Sequence, residues 1–149
     1  MIIAICGSIA HLDGMIACQE KLERLGHTVY IPSFVAHDQD GKPMDSKEFY
    51  RLRKSGEMNI SWFEDEKSRA MRQHFDFIAK SDAILVVNEE KNNVLGYIGG
   101  NTLMEMAIAF YLDKKIYLLN LIPELGYKEE IIGMKPEVLD GDINRIKSD

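Results

Sequence analysis

The strongest constraint in this chain is a set of short, unbroken apolar runs. Ile2-Ile3-Ala4-Ile5-Cys6 stops at Gly7-Ser8, and Ala83-Ile84-Leu85-Val86-Val87 stops at Asn88. A strand with one wet face alternates apolar and polar side chains, so runs without alternation belong to strands covered on both faces. They fall far short of the ~20 apolar residues of a membrane-spanning helix. Thr28 to Ile31, ended by Pro32, and Lys115 to Leu119, ended by Asn120, read as further strands. Between the strands, apolar residues recur at about one helical turn. Met15, Ile16, Cys18, Leu22 and Leu25 mark one helix, with Asp13 expected as N-cap and Gly26 as stop. Roughly Asn59 to Ser81 reads as a long charged helix with Trp62, Ala70, Phe75, Phe77 and Ile78 available for burial, and Thr102 to Leu112 as a third.

This alternation predicts one α/β domain over residues 1–149. It is doubly wound, of flavodoxin or Rossmann type, with a parallel sheet of about five strands in the order 2-1-3-4-5. The polar stretch from Ser33 to Ser46 is longer than most connections and is expected to be a functional loop or lid. The tail is expected to hold a short helix near Tyr127 to Ile132, a brief strand near Val138 and a last helix near Asp142 to Ile146.

Composition removes several classes of function. With 46% hydrophobic and 28% charged residues, the chain is neither disordered nor fibrous. A net charge of -6 argues against a nucleic acid polymer or an anionic membrane as partner, though not against a small anionic ligand held locally. Two cysteines, Cys6 and Cys18, are too few for a disulfide framework or a four-thiolate zinc site. His11, His27 and His37 have no metal-ligand spacing, so neither metal nor cofactor is expected. The first apolar run lacks a basic leader, and a reducing cytoplasmic setting is expected.

In a doubly wound sheet ligands bind outside the carboxyl ends of the strands. The most informative segment there is Gly96-Tyr97-Ile98-Gly99-Gly100-Asn101-Thr102-Leu103-Met104-Glu105. Glu105 is the one charge between Thr102 and Leu112, on a helix expected to be buried. One reading makes it the partner of a capping box with Thr102 as N-cap. The other, compatible with the first, makes it a nucleophile or base in a desolvated pocket. Gly99 and Gly100 permit positive φ and close approach, so with Asn101 they could offer donors to an anion or a sugar hydroxyl. Gly7 and Ser8, with Ile9, form a turn suited to phosphate or ribose, although neither Gly-x-Gly-x-x-Gly nor the Walker pattern is present. Asn88 ends the central strand. His74 and Asp76 lie late in the long helix, and Asp76, between Phe75 and Phe77, is a candidate proton donor if those rings desolvate it. Tyr97 could orient Glu105 or a sugar.

Ile5-Cys6-Gly7-Ser8-Ile9, Ser81 to Val87, the Gly-rich turn into Met104-Glu105-Met106-Ala107-Ile108-Ala109, and Lys114 to Leu119 together resemble the nucleoside 2-deoxyribosyltransferase superfamily, which includes 2'-deoxynucleoside 5'-phosphate N-hydrolases. The resemblance implies that Glu105 attacks the anomeric carbon of a deoxyribose and that the Gly7-Ser8-Ile9 turn contacts phosphate or base. It also implies a small-molecule nucleoside or nucleotide substrate and a homodimer or larger assembly. Monophosphate-specific members carry a serine where this chain has Gly99 and an arginine where it has Ala10-His11, so the resemblance leaves a 5'-phosphate requirement open. A catalytically silent nucleotide-binding module of the same fold is the alternative. A flavin-binding reductase on the same sheet is a third reading.

Overall fold

The structure is a computed structural model that describes residues 1–33, 35–56 and 60–147, without the side chain of Ile60. The chain gathers into two compact units, one of Met1–Ile31 with Phe77–Asp149 and one of Pro32–Asp76. No helix among the described residues is long and apolar enough to cross a membrane.

The first unit holds the sheet. Its strands are β1 (Ile2–Gly7), β2 (Thr28–Tyr30), β5 (Ala83–Val87), β6 (Lys115–Leu118) and β7 (Glu137–Val138). They lie in the order β2-β1-β5-β6-β7, every pair parallel. This is the expected flavodoxin-like order 2-1-3-4-5, counted over the sheet strands alone. All five residues of β5 and Ile3 to Cys6 of β1 are buried, as unbroken apolar runs require. Helices α1 (Leu12–Arg24) and α4 (Gly100–Tyr111) pack on the sheet, adding Met15 and Leu22, and Met106 and Ala109, to the core. Gly26, at φ +86°, follows the end of α1. α5 (Lys128–Gly133) buries Ile131, and a 3-10 turn at Ile143–Arg145 stands where the last helix was expected.

Asp13 does not cap α1. Ser8 caps a 3-10 turn, Ile9–His11, which runs straight into the helix and leaves Asp13 in its first turn. α4 begins two residues earlier than its apolar pattern predicts, with Gly99 as N-cap (φ -83°, ψ 170°). It is also buried on one side only, since Met104, Phe110 and Tyr111 are 44%, 51% and 84% exposed.

The second unit replaces the expected long loop with regular structure. β3 (Val35–His37) and β4 (Pro43–Asp45) form an antiparallel hairpin, followed by α2 (Ser46–Ser55). Asp38 closes the hairpin by accepting the N-H groups of Asp40 and Lys42, and Gly41 takes a positive φ. Asp45 caps α2 through the N-H groups of Lys47 and Glu48. α3 (Ile60–Lys80) is the predicted long helix, whose expected start at Asn59 lies outside the described residues. Phe49 is buried against Trp62 and Phe63 of α3 at 5.4 and 5.5 Å between ring centroids.

Candidate functional site

The carboxyl ends of β1 and β5 lie side by side in the sheet unit. Gly7 pairs with Val87, and a Cβ on Gly7 would stand 3.0 Å from the Val87 carbonyl oxygen and 3.3 Å from Met15 Sδ, so glycine permits this approach. From there β1 turns out through Ser8, whose Oγ accepts the Ala10 N-H at 3.3 Å. His11 is buried and bonds through Nδ1 to the Val87 carbonyl oxygen at 3.2 Å, while its Nε2 has no partner among the described residues.

Asn88 ends β5 as a bracket. Its buried amide donates to the carbonyl oxygens of Gly96, Asn120 and Leu121 at 3.2, 3.3 and 2.9 Å, and its Oδ1 accepts the Asn120 N-H at 2.9 Å. The Asn120 amide returns a bond to the Asn88 carbonyl oxygen at 3.2 Å. The side chain expected to meet a ligand thus ties the ends of β5 and β6 to the following loop.

That loop is itself a small hairpin. Lys91 and Val94 exchange backbone hydrogen bonds across Asn92 and Asn93, which sit at φ 52° and 61°. Two consecutive left-handed residues make a primed turn, which asparagine tolerates better than most residues. Tyr97 N-H bonds to the Glu89 carbonyl oxygen at 3.1 Å and closes the arm. Gly96, at φ +68°, has no room for a side chain, because a Cβ would lie 2.3 Å from the Leu121 carbonyl oxygen.

The arm carries Lys91 to Ser8. Nζ donates to Ser8 Oγ at 2.9 Å and stands 5.3 Å from the Tyr97 ring centroid. Sequence reasoning passed over Lys91; the Asn92-Asn93 doublet was the signal that a tight turn holds this residue in place. It also passed over Glu89, whose carboxylate leaves no room for a Cβ on Gly14 of α1.

Tyr97 lies beside Gly99, where a Cβ would be 3.4 Å from its ring. Tyr127 donates its hydroxyl proton to the Ile98 carbonyl oxygen, and burial raises its pKa, with Tyr97 adding to the shift. Gly99 and Gly100 do not use the positive φ that glycine permits. Their part is to open α4, whose first N-H groups have no intrahelical acceptor.

Glu105 lies in the second turn of α4, 3% exposed. With Gly99 as N-cap and Thr102 already inside the helix, the expected capping box does not form. Asn101 donates to Glu105 Oε1 at 2.8 Å, so the asparagine expected to touch a ligand holds the carboxylate from one turn earlier. The Cys6 thiol meets the same carboxylate from β1. Burial raises its pKa well above the ordinary value, and Glu105 raises it further through its charge and by hydrogen bonding to the thiol. Cys6 therefore remains a protonated donor.

The second unit corrects the case for Asp76. On α3 the buried positions Glu66, His74 and Ile78 fall at multiples of four residues, and Asp76 sits about 200° around the helix from His74, exposed, with Phe75 and Phe77 only half-buried. The desolvation on which its acid role was argued is absent.

No protein-family model matches the chain, and no curated protein sequence matches it. Among solved structures it is similar to the 2-deoxyribosyltransferase of the psychrotolerant bacterium Bacillus psychrosaccharolyticus, described as a biocatalyst for synthesis of antiviral and antitumoral nucleosides. The TM-score is 0.50 at 16% identity, over 79% of this chain and 71% of that one. The chain therefore has a distant fold relationship to a 2-deoxyribosyltransferase.

Proposed function

We propose that this protein breaks the N-glycosidic bond of a 2'-deoxynucleoside or 2'-deoxynucleotide, with Glu105 as nucleophile. The observation that carries the reading is a buried carboxylate on an otherwise uncharged helix, held by the Asn101 amide and the Cys6 thiol beside the carboxyl end of β1. The Asn101 amide and the Cys6 thiol orient the carboxylate that the reaction would use as nucleophile. One carboxylate oxygen attacks the anomeric carbon, the N-glycosidic bond breaks, and the base leaves with the electron pair and takes up a proton. Water or a second base then displaces the glycosyl ester and restores the carboxylate. In this reading Tyr97 and the Gly99-Gly100 turn receive the sugar, and Ser8 and Ile9 the far end of the substrate. Asp76 is given no part. The fold relationship to a 2-deoxyribosyltransferase supports the substrate class.

The test is release of free base from a pool of deoxynucleosides and deoxynucleotides, followed by mass spectrometry, for wild type and Glu105→Gln. Wild type is expected to release base. The amide cannot form the ester, so the variant is expected to lose nearly all release while keeping its fold and its ligand binding. Undiminished release by Glu105→Gln eliminates the nucleophile; binding without release by wild type favours the silent module.

A further inference from the structure

Two side chains of the arm after β5 reach over to the turn and helix that follow β1. Near the tip, Lys91 Nζ donates to Ser8 Oγ at 2.9 Å, with the Tyr97 ring centroid 5.3 Å from its charge. At the root, the Glu89 carboxylate rests on Gly14 in the first turn of α1, where the helix dipole favours a negative charge. Burial pushes the thiol of Cys18, one turn further along α1, up to about 11, with Lys21 opposing the rise and the Glu89 charge adding to it. Between β1 and β5 the strand order reverses, and a doubly wound sheet takes its ligand at such a crevice. Here the crevice is spanned twice.

The arm is fixed at its root and lightly held at its tip. The Asn88 bracket, the Tyr97 N-H on the Glu89 carbonyl oxygen and the cramped Gly96 secure the root. Beyond it, Asn92, Asn93 and Leu95 are exposed, and among the described residues Lys91 gives the hairpin its one side-chain hydrogen bond to another element. A half-exposed contact of this kind opens far more readily than a buried bracket. The turn that Lys91 reaches also carries an unsatisfied group. His11 Nδ1 faces a carbonyl oxygen, which can only accept, so Nδ1 bears the proton and Nε2 of the neutral ring is an acceptor. That Nε2 is buried without a partner among the described residues. Native interiors leave few such atoms, and one on a crevice turn is accounted for when its partner arrives with the ligand.

We propose that the arm is a strap over the β1–β5 crevice, closed here by Lys91 on Ser8 and Glu89 on Gly14, which releases Ser8 to admit a ligand and then recloses. The gating of base release rests on the proposed function; the movement of the strap does not.

The movement is tested with spin labels at Leu95→Cys on the arm and Glu20→Cys on the exposed side of α1, since Cys6 and Cys18 are buried. Pulsed dipolar spectroscopy is expected to give a dominant short distance when the rest of the chain is wild type. Lys91→Met removes the tip contact and Gly14→Ala displaces the Glu89 carboxylate, so each is expected to add a longer distance. Loss of one charge-assisted contact in Lys91→Met is expected to raise the open population roughly tenfold, and Lys91→Arg to restore the closed one. An unchanged distribution in both Lys91→Met and Gly14→Ala overturns the strap. Gating is tested by rapid-mixing measurement of base release from 2'-deoxynucleosides. The rate is expected to level off with substrate concentration at a ceiling set by opening, and Lys91→Met to raise that ceiling in proportion to the open population. A ceiling that does not move overturns the gate. If wild type releases no base, the glycosidic reading fails, and the label distances alone decide the strap.

Discussion

Asn88 shows how much one side chain can hold at a sheet end. Its fully buried amide serves three carbonyl oxygens and one N-H. Asn88→Ala leaves these groups without their partner, at about 1 to 3 kcal/mol for each one that finds no water. A loss of about 3 kcal/mol in urea unfolding, with an unchanged denaturant slope, is expected. Asn88→Asp is expected to fare no better, since a carboxylate cannot donate to three carbonyls. An asparagine ending an apolar run announced a polar function at this place. Whether that function was ligand or scaffold depended on where Gly96, Asn120 and Leu121 lie, and no local pattern encodes that. Glu105 was legible for the opposite reason: one charge in the eleven mostly apolar residues from Thr102 to Leu112 is visible without any fold.

Among the elements, α3 and the β3-β4 hairpin meet through Glu66. It accepts the His37 N-H at 3.0 Å and Arg69 Nη2 at 2.6 Å, and His37 Nδ1 stands 3.4 Å away. The Arg69 hydrogen bonds and charge, with a smaller part from His37, hold the Glu66 carboxyl below its usual range against the opposing effect of burial. A carboxyl with a depressed folded pKa stabilises above its unfolded value, near about 4.3, and that contribution is lost as pH falls through the folded value. The stability difference between wild type and Glu66→Gln is therefore expected to be largest above about pH 5 and to shrink below about pH 4, read by thermal unfolding across that range. The hairpin and α2 were missed in the sequence because their turn residues, Asp38 to Gly41 and Asp45, also suit a loop. Three-residue strands are too short to show alternation.

At the scale of the molecule, the exposed side of α4 stands out. Met104, Ala107 and Tyr111 share one side at helical spacing, Phe110 adjoins them, and all four are exposed. An apolar helix face of this kind is expected to be covered by a second copy through a twofold, self-complementary contact. Sedimentation equilibrium at micromolar concentration is expected to give a dimer or larger species, and Tyr111→Lys to shift it toward monomer. A wild-type monomer throughout would remove this expectation.

By itself the sequence determined the parallel sheet, its strand order and the buried glutamate, because unbroken apolar runs and a lone charge are local signals that survive any arrangement compatible with them. Tertiary structure decided the rest. It placed Gly99 rather than Thr102 at the start of α4, turned Asn88 and Asn101 inward onto their own chain, left Asp76 in solvent, and brought Lys91 to Ser8 across 83 residues. These outcomes follow from which groups find partners when distant segments meet, and a hydrogen bond between residues so far apart in the chain leaves no periodicity to read.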